Sequence, residues 1–205
     1  MEDSSKTLTP AESLDIIKGF ILNYRRNFKY NSYYFLLWGW LISLACISHF
    51  AILTYLQHTG NYGKIGLWSW VNWLAFPLLG IMFTIIHANK GNHSPESRGH
   101  IGRIITSLWQ VTGVAIFLVL ALCIKLGNYY PGPYILTVVG LSTMVTGITI
   151  KFRPVILGGV GFFIFAVLSS FFANDYQLLI NALAIIMGYL IPGYMLRSYK
   201  PEENV

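Results

Sequence analysis

Three of the chain's five histidines fall within one hydrophilic stretch, which is the first place to look for chemistry. His87, His93 and His100 lie there together with Glu96. Imidazole and carboxylate groups are common ligands of zinc in proteins. However, the spacings of six and seven residues between the histidines match no compact zinc template, and the intervening Gly, Asn, Ser and Pro residues are typical of a flexible linker. We therefore interpret residues 87–100 as a solvated loop and expect no metal and no other cofactor.

Motifs of established enzyme classes are absent from the sequence. It contains no Gly-x-Ser-x-Gly and no His-Glu-x-x-His, and the glycines of GKIGLWSW at residues 63–70 are not followed by the Lys-Ser/Thr pair of a phosphate-binding loop. No Asp, Glu, Lys or Arg lies in the middle of a long apolar segment, where an ionisable group would suggest a proton relay or a protease. The sequence therefore predicts that the protein is not an enzyme.

Uncharged polar residues do lie within the long apolar segments. Asn72, Gln110 and Asn181 fall in the second, third and sixth of these segments. A polar side chain in hydrocarbon gains from hydrogen bonding to a neighbouring helix, so we expect interhelical hydrogen bonds at all three positions. The alternative is a pocket for a small solute or a lipid headgroup. His49, in the first segment, has Asp175 as one candidate partner.

The elements that must position these side chains are membrane-spanning helices. Of 205 residues, 55% are hydrophobic and only 11% are charged, whereas a soluble domain has about 25% charged residues. Crossing about 30 Å of hydrocarbon takes about 20 apolar residues in a helix. Six segments meet this requirement: 33–55, 67–88, 104–126, 133–150, 154–173 and 176–196. We predict an all-α fold, a polytopic membrane bundle of six transmembrane helices.

The shortest connection between two predicted spans carries two cations and a proline. Its sequence is KFRP, from Lys151 to Pro154. Proline is favoured at the first position of a helix, so Pro154 marks the start of a new span rather than a kink within one long helix. The connection is then a hairpin turn, and Lys151 and Arg153 are candidate contacts of lipid headgroups.

The distribution of cations predicts the orientation in the membrane. With the N-terminus in the cytoplasm, all 14 Lys and Arg residues except Lys64 and Lys125 fall on the cytoplasmic side, as the positive-inside rule requires. The first 30 residues contain four acidic residues and no early apolar core, so no cleavable signal is expected. We predict a multi-pass protein of the cell inner membrane with both termini in the cytoplasm. The same distribution accounts for the net charge of +6, and we expect no nucleic-acid partner.

The chain before the first span has a pattern of its own. We expect residues 1–9 to be disordered, 10–30 to form a cytoplasmic amphipathic interfacial helix, 31–198 to form the six-helix domain and 199–205 to be a cytoplasmic tail. An apolar stripe follows helical spacing: Leu14, Ile17, Ile21, Tyr24 and Phe28. Arg25, Arg26 and Lys29 are candidate contacts of anionic headgroups, with the stripe lying in the membrane interface. Alternatively, the stripe docks a protein partner or a second copy of the chain.

Small residues one helical turn apart predict where the spans approach each other. The pairs are Gly39 with Ser43, Thr143 with Gly147, and Ala184 with Gly188. Close backbone approach at such positions supplies van der Waals contact between helices in a membrane. Gly39, Gly147 and Gly188 are therefore candidate packing positions. Cys46 and Cys123 fall within predicted spans and are interpreted as small apolar fillers.

Three stretches carry a resemblance to known proteins. NSYYFLLWGW in the first span, KFRPVILGG at the fourth turn and YLIPGYMLR near the end resemble six-span bacterial inner-membrane proteins of uncharacterised activity. The resemblance covers most of the chain and implies the six-span fold. It attaches no activity, substrate or catalytic residue.

The function predicted from these observations is that of a non-enzymatic accessory or interaction protein in the membrane. The basic amphipathic segment and the absence of catalytic motifs favour this class. Its expected partners are the lipid bilayer, anionic headgroups at the cytoplasmic face, and a protein partner or a second copy of the chain. The alternative is a transporter or channel for a small solute or a lipid, because six spans divide into two halves of three as in many transporters.

Overall fold

The computed structural model describes residues 10–90, 100–128, 130–172 and 175–198, and for residues 10–31, 90, 100 and 101 it describes the backbone only. The described chain is helical and contains no strand. The long helices are α1 (Pro10–His58), α2 (Ile65–Lys90), α3 (His100–Lys125), α4 (Gly132–Thr149) and α5 (Arg153–Ser170). The last span consists of α6 (Tyr176–Ile185), a π-helical segment (Ile186–Leu190) and α7 (Ile191–Ser198).

Six helical segments are long and apolar enough to cross a membrane. They are Ser32–His58, Tyr62–Asn89, Gly102–Lys125, Gly132–Thr149, Arg153–Ser170 and Tyr176–Ser198. The prediction of an all-α bundle with six spans is confirmed. The ends differ by a few residues from the predicted ones, because helix ends depend on capping geometry rather than on hydropathy.

The first span and the predicted amphipathic helix form one continuous helix. The sequence predicts a boundary near residue 31, but α1 runs through it from Pro10 to His58. The side chains of residues 10–31 lie outside the description, and so do residues 1–9 and 199–205 entirely. Whether the apolar stripe of 10–30 lies on lipid or on a partner therefore stays a prediction.

Successive spans run antiparallel, which defines two ends of the bundle. α1 pairs with α2 through Trp38 beside Gly80 and through His49 beside Ser69. Other neighbouring spans pair in the same manner: Gly140 with Phe162, Gly147 with Ile156, Gly158 with Pro192, and Gly39 with Leu190. One end holds the connections α1–α2, α3–α4 and α5–α6, and we call it the α1–α2 end. The other holds the start of α3, the α4–α5 turn and the end of α7, and we call it the α4–α5 end.

The sixth span lies at the centre of the bundle. In its most apolar window 50% of the residues are buried, against 11% for the second and third spans. The sixth span packs against α1 and α5, whereas α2 packs against α1 and α3 packs against α4. The second and third spans therefore present most of their apolar side chains outward, as expected of helices that contact lipid.

The π-helical segment has a local cause in the sequence. Pro192 has no backbone N–H, so it cannot donate the usual helical bond to the carbonyl of Gly188. Just before it, the N–H of Ile191 donates to the carbonyl of Ile186, five positions earlier instead of four. The extra residue in this turn widens the helix at Gly188 and Tyr189, both of which are buried. The proline thus changes the rotation of the residues that the sixth span presents to its neighbours.

Three helices end in the same C-terminal arrangement, a Schellman motif. After α1, α3 and α4, a backbone N–H donates to the carbonyl five positions earlier, at 2.9, 2.8 and 2.9 Å. The residue at the left-handed position is Gly60 (φ 70°) after α1, Gly127 (φ 67°) after α3 and Lys151 (φ 54°) after α4. These motifs satisfy the last carbonyl groups of each helix and fix how the chain leaves it.

Candidate functional site

A polar cluster joins α1 and α2 near the α1–α2 end. The Nε2 of His49 lies 2.8 Å from the Oγ of Ser69, and the indole N–H of Trp73 donates to the Nδ1 of His49 at 3.0 Å. One turn away, the amide of Asn72 donates to a backbone carbonyl of α1 at 3.0 Å and accepts from the Oγ of Ser48 at 2.7 Å. Asn72 is buried, so it makes the kind of interhelical bond that its position in a span suggests.

The hydrogen bonds of His49 fix its tautomer. An indole nitrogen can only donate, so the Nδ1 that accepts from Trp73 carries no proton. A neutral imidazole then has its proton on Nε2, and this nitrogen donates to the Oγ of Ser69. A general base for a serine nucleophile needs a free lone pair on that nitrogen. The Ser69–His49 pair is therefore arranged for structure and not for acyl transfer.

Asp175 does not hydrogen-bond His49. Its carboxylate accepts instead from the Nε2 of Gln57 at 2.6 Å, which connects the end of α1 to the α5–α6 connection. The sequence suggested Asp175 as a partner of His49, and it gave no signal for Ser69 or Trp73, because partners twenty or more positions apart depend on the rotation of both helices.

A second polar cluster joins α5 to the sixth span, also toward the α1–α2 end. The Oγ of Ser169 donates to the Oδ1 of Asn181 at 2.9 Å. The amide of Gln177 donates to the carbonyls of Ser169 and Phe172, both at 3.0 Å. Gln177 therefore adds a hydrogen bond to the carbonyl of Ser169, which also accepts from the backbone N–H of Phe172 at 3.2 Å, and one to the carbonyl of Phe172 just after α5. The sequence analysis did not select Gln177, although a buried amide at a helix start is a recognisable candidate for this role.

Gln110 is not part of either cluster. Its side chain is exposed on α3. The polar contact between α3 and α4 is made by Thr112 and Ser142, whose hydroxyl oxygens lie 2.6 Å apart. The structure thus brings Asn72 and Asn181 into separate interhelical contacts and leaves Gln110 on the outer surface.

The three candidate packing glycines all lie where two helices approach closely. A Cβ at Gly39 would lie 2.6 Å from the Cδ2 of Leu190 in the sixth span. A Cβ at Gly147 would lie 2.6 Å from the backbone nitrogen of Ile156 in α5, and a Cβ at Gly188 would overlap the ring of Phe162. At Gly147 the neighbouring atom belongs to the backbone and cannot move aside, whereas at Gly39 and Gly188 a larger residue would require a neighbouring side chain to shift.

An aromatic cluster surrounds the π-helical segment. The ring of Tyr189 contacts Phe35 of α1, Trp109 of α3 and Phe162 of α5, with centroids 5.4, 6.2 and 5.0 Å away and steeply inclined planes. Edge-to-face contacts of this kind are favourable, so the widened turn of the sixth span packs against aromatic side chains from three other helices.

The candidate headgroup contacts are only partly described. Lys151 and Arg153 are exposed at the α4–α5 end. Arg25, Arg26 and Lys29 belong to α1, but their side chains lie outside the description.

The histidine-rich stretch is also only partly described. His87 stacks on Tyr33 with centroids 3.7 Å apart, whereas His93, Glu96 and the side chain of His100 lie outside the description. Among the described residues, no three His, Cys, Asp or Glu side chains are grouped so that they could hold a metal ion. Cys46 and Cys123 are free and buried.

Comparison with known proteins adds no relative. The chain matches no protein-family model, no curated protein and no solved structure. Its function has to be argued from its own residues.

Proposed function

We propose that the protein is a non-enzymatic accessory or interaction protein of the inner membrane. The observation that carries this proposal is the use of the polar side chains inside the bundle. Asn72, Asn181 and Gln177 bond to neighbouring helices or to the ends of helices. The hydroxyls of Thr143 and Thr146 donate to carbonyls of their own helix at 2.7 Å. Each of these polar groups therefore has a hydrogen-bond partner within the bundle, whereas among the described residues the buried hydroxyls of Ser43 and Thr84 have none.

The packing at the centre of the bundle supports the same proposal. Val155, Phe162 and Thr143 are completely buried. Glycines bring α4 against α5, and Gly158 brings α5 against the sixth span. A transport path needs polar groups that face a solvated passage, whereas here the central positions are filled by side chains. The tautomer of His49 argues against hydrolysis at the pair that most resembles a catalytic one.

The orientation belongs to the proposal as well. All Lys and Arg residues except Lys64 and Lys125 fall on one side of the six spans, which supports cytoplasmic termini. A cysteine placed at Asn128 should react with a membrane-impermeant maleimide added to intact cells, and one placed at Asn92 should not. The native Cys46 and Cys123 are buried and can be replaced by alanine for this purpose. Labelling with the opposite pattern would refute the orientation.

The N-terminal segment supplies the surface proposed for interaction. Its cations, Arg25, Arg26 and Lys29, would attract anionic headgroups, while its apolar stripe would lie in the membrane interface or against a protein partner or second copy. Deleting residues 2–29 should remove co-purifying proteins, while the six spans still insert. The deletion of residues 201–205 is the matched control and should keep the partners.

Transport of a small solute or a lipid is the second candidate. The π-helical segment favours it, since interrupted helices form the binding sites of many transporters. Purified protein in liposomes distinguishes the two functions. We expect no solute flux above that of protein-free liposomes. A reproducible flux that falls in Asn72→Leu or Asn181→Leu would establish transport and refute the non-transporting function.

A further inference from the structure

The left-handed position of the Schellman motif is occupied differently at the two ends of the bundle. At the α1–α2 end it holds Gly60 and Gly127, and at the α4–α5 end it holds Lys151 with φ 54°. A positive φ is sterically unfavourable for a residue with a Cβ, whereas glycine has no Cβ and adopts it without this strain. The chain therefore places a lysine where a glycine would fit the same turn with less strain. The turn geometry does not favour a lysine at this position, which points to a role for its charged side chain.

Lys151 belongs to a group of cations at the α4–α5 end. The exposed members are Arg103, Lys151, Arg153 and Arg197. They come from the start of α3, the α4–α5 turn, the start of α5 and the end of α7. Buried residues of the common core lie within two positions of each of them in sequence: Ile105, Ile150, Phe152 and Leu196. The four cations thus lie at one end of the bundle, close in sequence to residues of its packed core.

No described carboxylate neutralises these cations. Asp175 is the acidic residue whose side chain the structure describes. It lies at the opposite end of the bundle and accepts a hydrogen bond from Gln57. Among the side chains that the structure describes, the exposed charged groups at the α4–α5 end are all cationic.

The surface beside the turn indicates which anion fits. Ile148 on α4 and Leu157 on α5 lie within about one helical turn of the cations, and their side chains are 53% and 69% exposed. A phospholipid matches this arrangement, because its phosphate lies at the depth of the span ends and its acyl chains lie along the apolar faces. Free phosphate would use the cations alone.

We propose that the α4–α5 turn binds an anionic phospholipid, with the phosphate held by Lys151 and Arg153 and the acyl chains lying along the exposed faces of α4 and α5. This binding site rests on the proposed insertion in a membrane, and it does not depend on whether the protein has a protein partner. It explains why the turn carries lysine where the two turns of the opposite end carry glycine.

The proposal can be tested with the full chain in neutral detergent. Its melting temperature is measured as phosphatidylglycerol is added, and the dependence of the rise on lipid concentration gives the apparent affinity. Lys151→Gly removes the charge and keeps the backbone conformation, so it should not lower the melting temperature without lipid. We expect its apparent affinity for phosphatidylglycerol to fall about fivefold, as for the loss of one cation near a headgroup. Adding Arg153→Gln should lower it by about fivefold again. Phosphatidylcholine should have no effect on the parent protein.

Lys125→Gln is the matched control, because Lys125 is an exposed lysine just before the Schellman turn of α3 at the opposite end. It should keep the parent affinity. Equal weakening by Lys125→Gln and Lys151→Gly would mean diffuse attraction and would overturn the site, as would parent-like binding by Lys151→Gly. Displacement of the lipid by equimolar inorganic phosphate would show a free-anion site instead.

Two additional variants separate an effect on lipid binding from an effect on the folding of the turn. If Lys151→Gly lowers the melting temperature without lipid, Lys151→Asn replaces it, since asparagine tolerates positive φ. Arg153→Gln alone tests the site without changing the turn. Solute flux in liposomes would refute the proposed function and leave this affinity unchanged, whereas loss of lipid selectivity would refute only the site.

Discussion

A methyl group added at Gly159 should separate α4 from α5, whereas the same change two positions away should not. A Cβ at Gly159 would lie 2.7 Å from both the Cβ and the backbone nitrogen of Met144 and 2.8 Å from its Cα. A Cβ at Gly161, in the same helix, would have no heavy atom within 4 Å. Backbone atoms cannot rotate away from the added methyl group, so relief requires the two helices to move apart.

The expected difference in stability follows from two effects. Replacing glycine by alanine within a helix is favourable by about 1 kcal/mol, and this gain is common to both sites. Overpacking in a well-packed interior costs about 1–3 kcal/mol, and this cost applies only at Gly159. Because the common gain cancels, the free energies of unfolding of Gly159→Ala and Gly161→Ala should differ by about 1–3 kcal/mol, with Gly161→Ala the more stable.

Reversible unfolding in mixed micelles, titrated with a denaturing detergent, measures this difference. Gly147→Ala should behave like Gly159→Ala, since its Cβ would lie 2.6 Å from the backbone nitrogen of Ile156 on the other side of the same contact. If Gly159→Ala and Gly161→Ala unfold at the same detergent fraction, α4 and α5 do not approach each other as closely as described, and the packing argument fails.

Two further predictions concern the polar contacts. Asn181→Leu leaves the buried hydroxyl of Ser169 without its amide partner and should lower the free energy of unfolding by about 1 kcal/mol. Gln110→Leu, on the exposed face of α3, should leave the free energy of unfolding unchanged. Equal effects of the two variants in the same detergent titration would contradict the two placements. His49→Phe removes the hydrogen bonds to Ser69 and Trp73 and should lower the free energy of unfolding by about 1–2 kcal/mol. Thermal unfolding of the parent and the variant can measure this difference. A variant as stable as the parent would show that this cluster does not hold α1 to α2.

The local sequence was sufficient to predict the length and order of the spans. Each of the six segments is apolar over about the thickness of the hydrocarbon layer, and this property does not depend on neighbours. The turn at Lys151 and Arg153 was predicted for the same reason, since the two cations and Pro154 interrupt the apolar pattern locally. The boundary near residue 31 was placed by a change in pattern from amphipathic to apolar. The continuous α1 shows that such a change need not interrupt the backbone.

The packing positions were predictable in part. Small residues one turn apart indicated Gly39, Gly147 and Gly188, because only small residues allow close contact between helices. The sequence could not indicate their partners. That Gly188 faces Phe162 depends on the widened turn before Pro192, which changes the rotation of the sixth span.

The sequence by itself determined the depth of each polar residue along the spans, and the tertiary structure decided which way each one faces. Asn72 and Gln110 each lie near the start of an apolar span, yet Asn72 is buried against α1 and Gln110 is exposed. In water, an apolar face identifies the side that packs inward. In a membrane, lipid is as apolar as the protein interior, so the hydropathy of a span gives little indication of which face packs inward. That choice is made by the shapes of neighbouring helices and by partners far apart in the chain, such as Trp73 for His49 and Ser169 for Asn181.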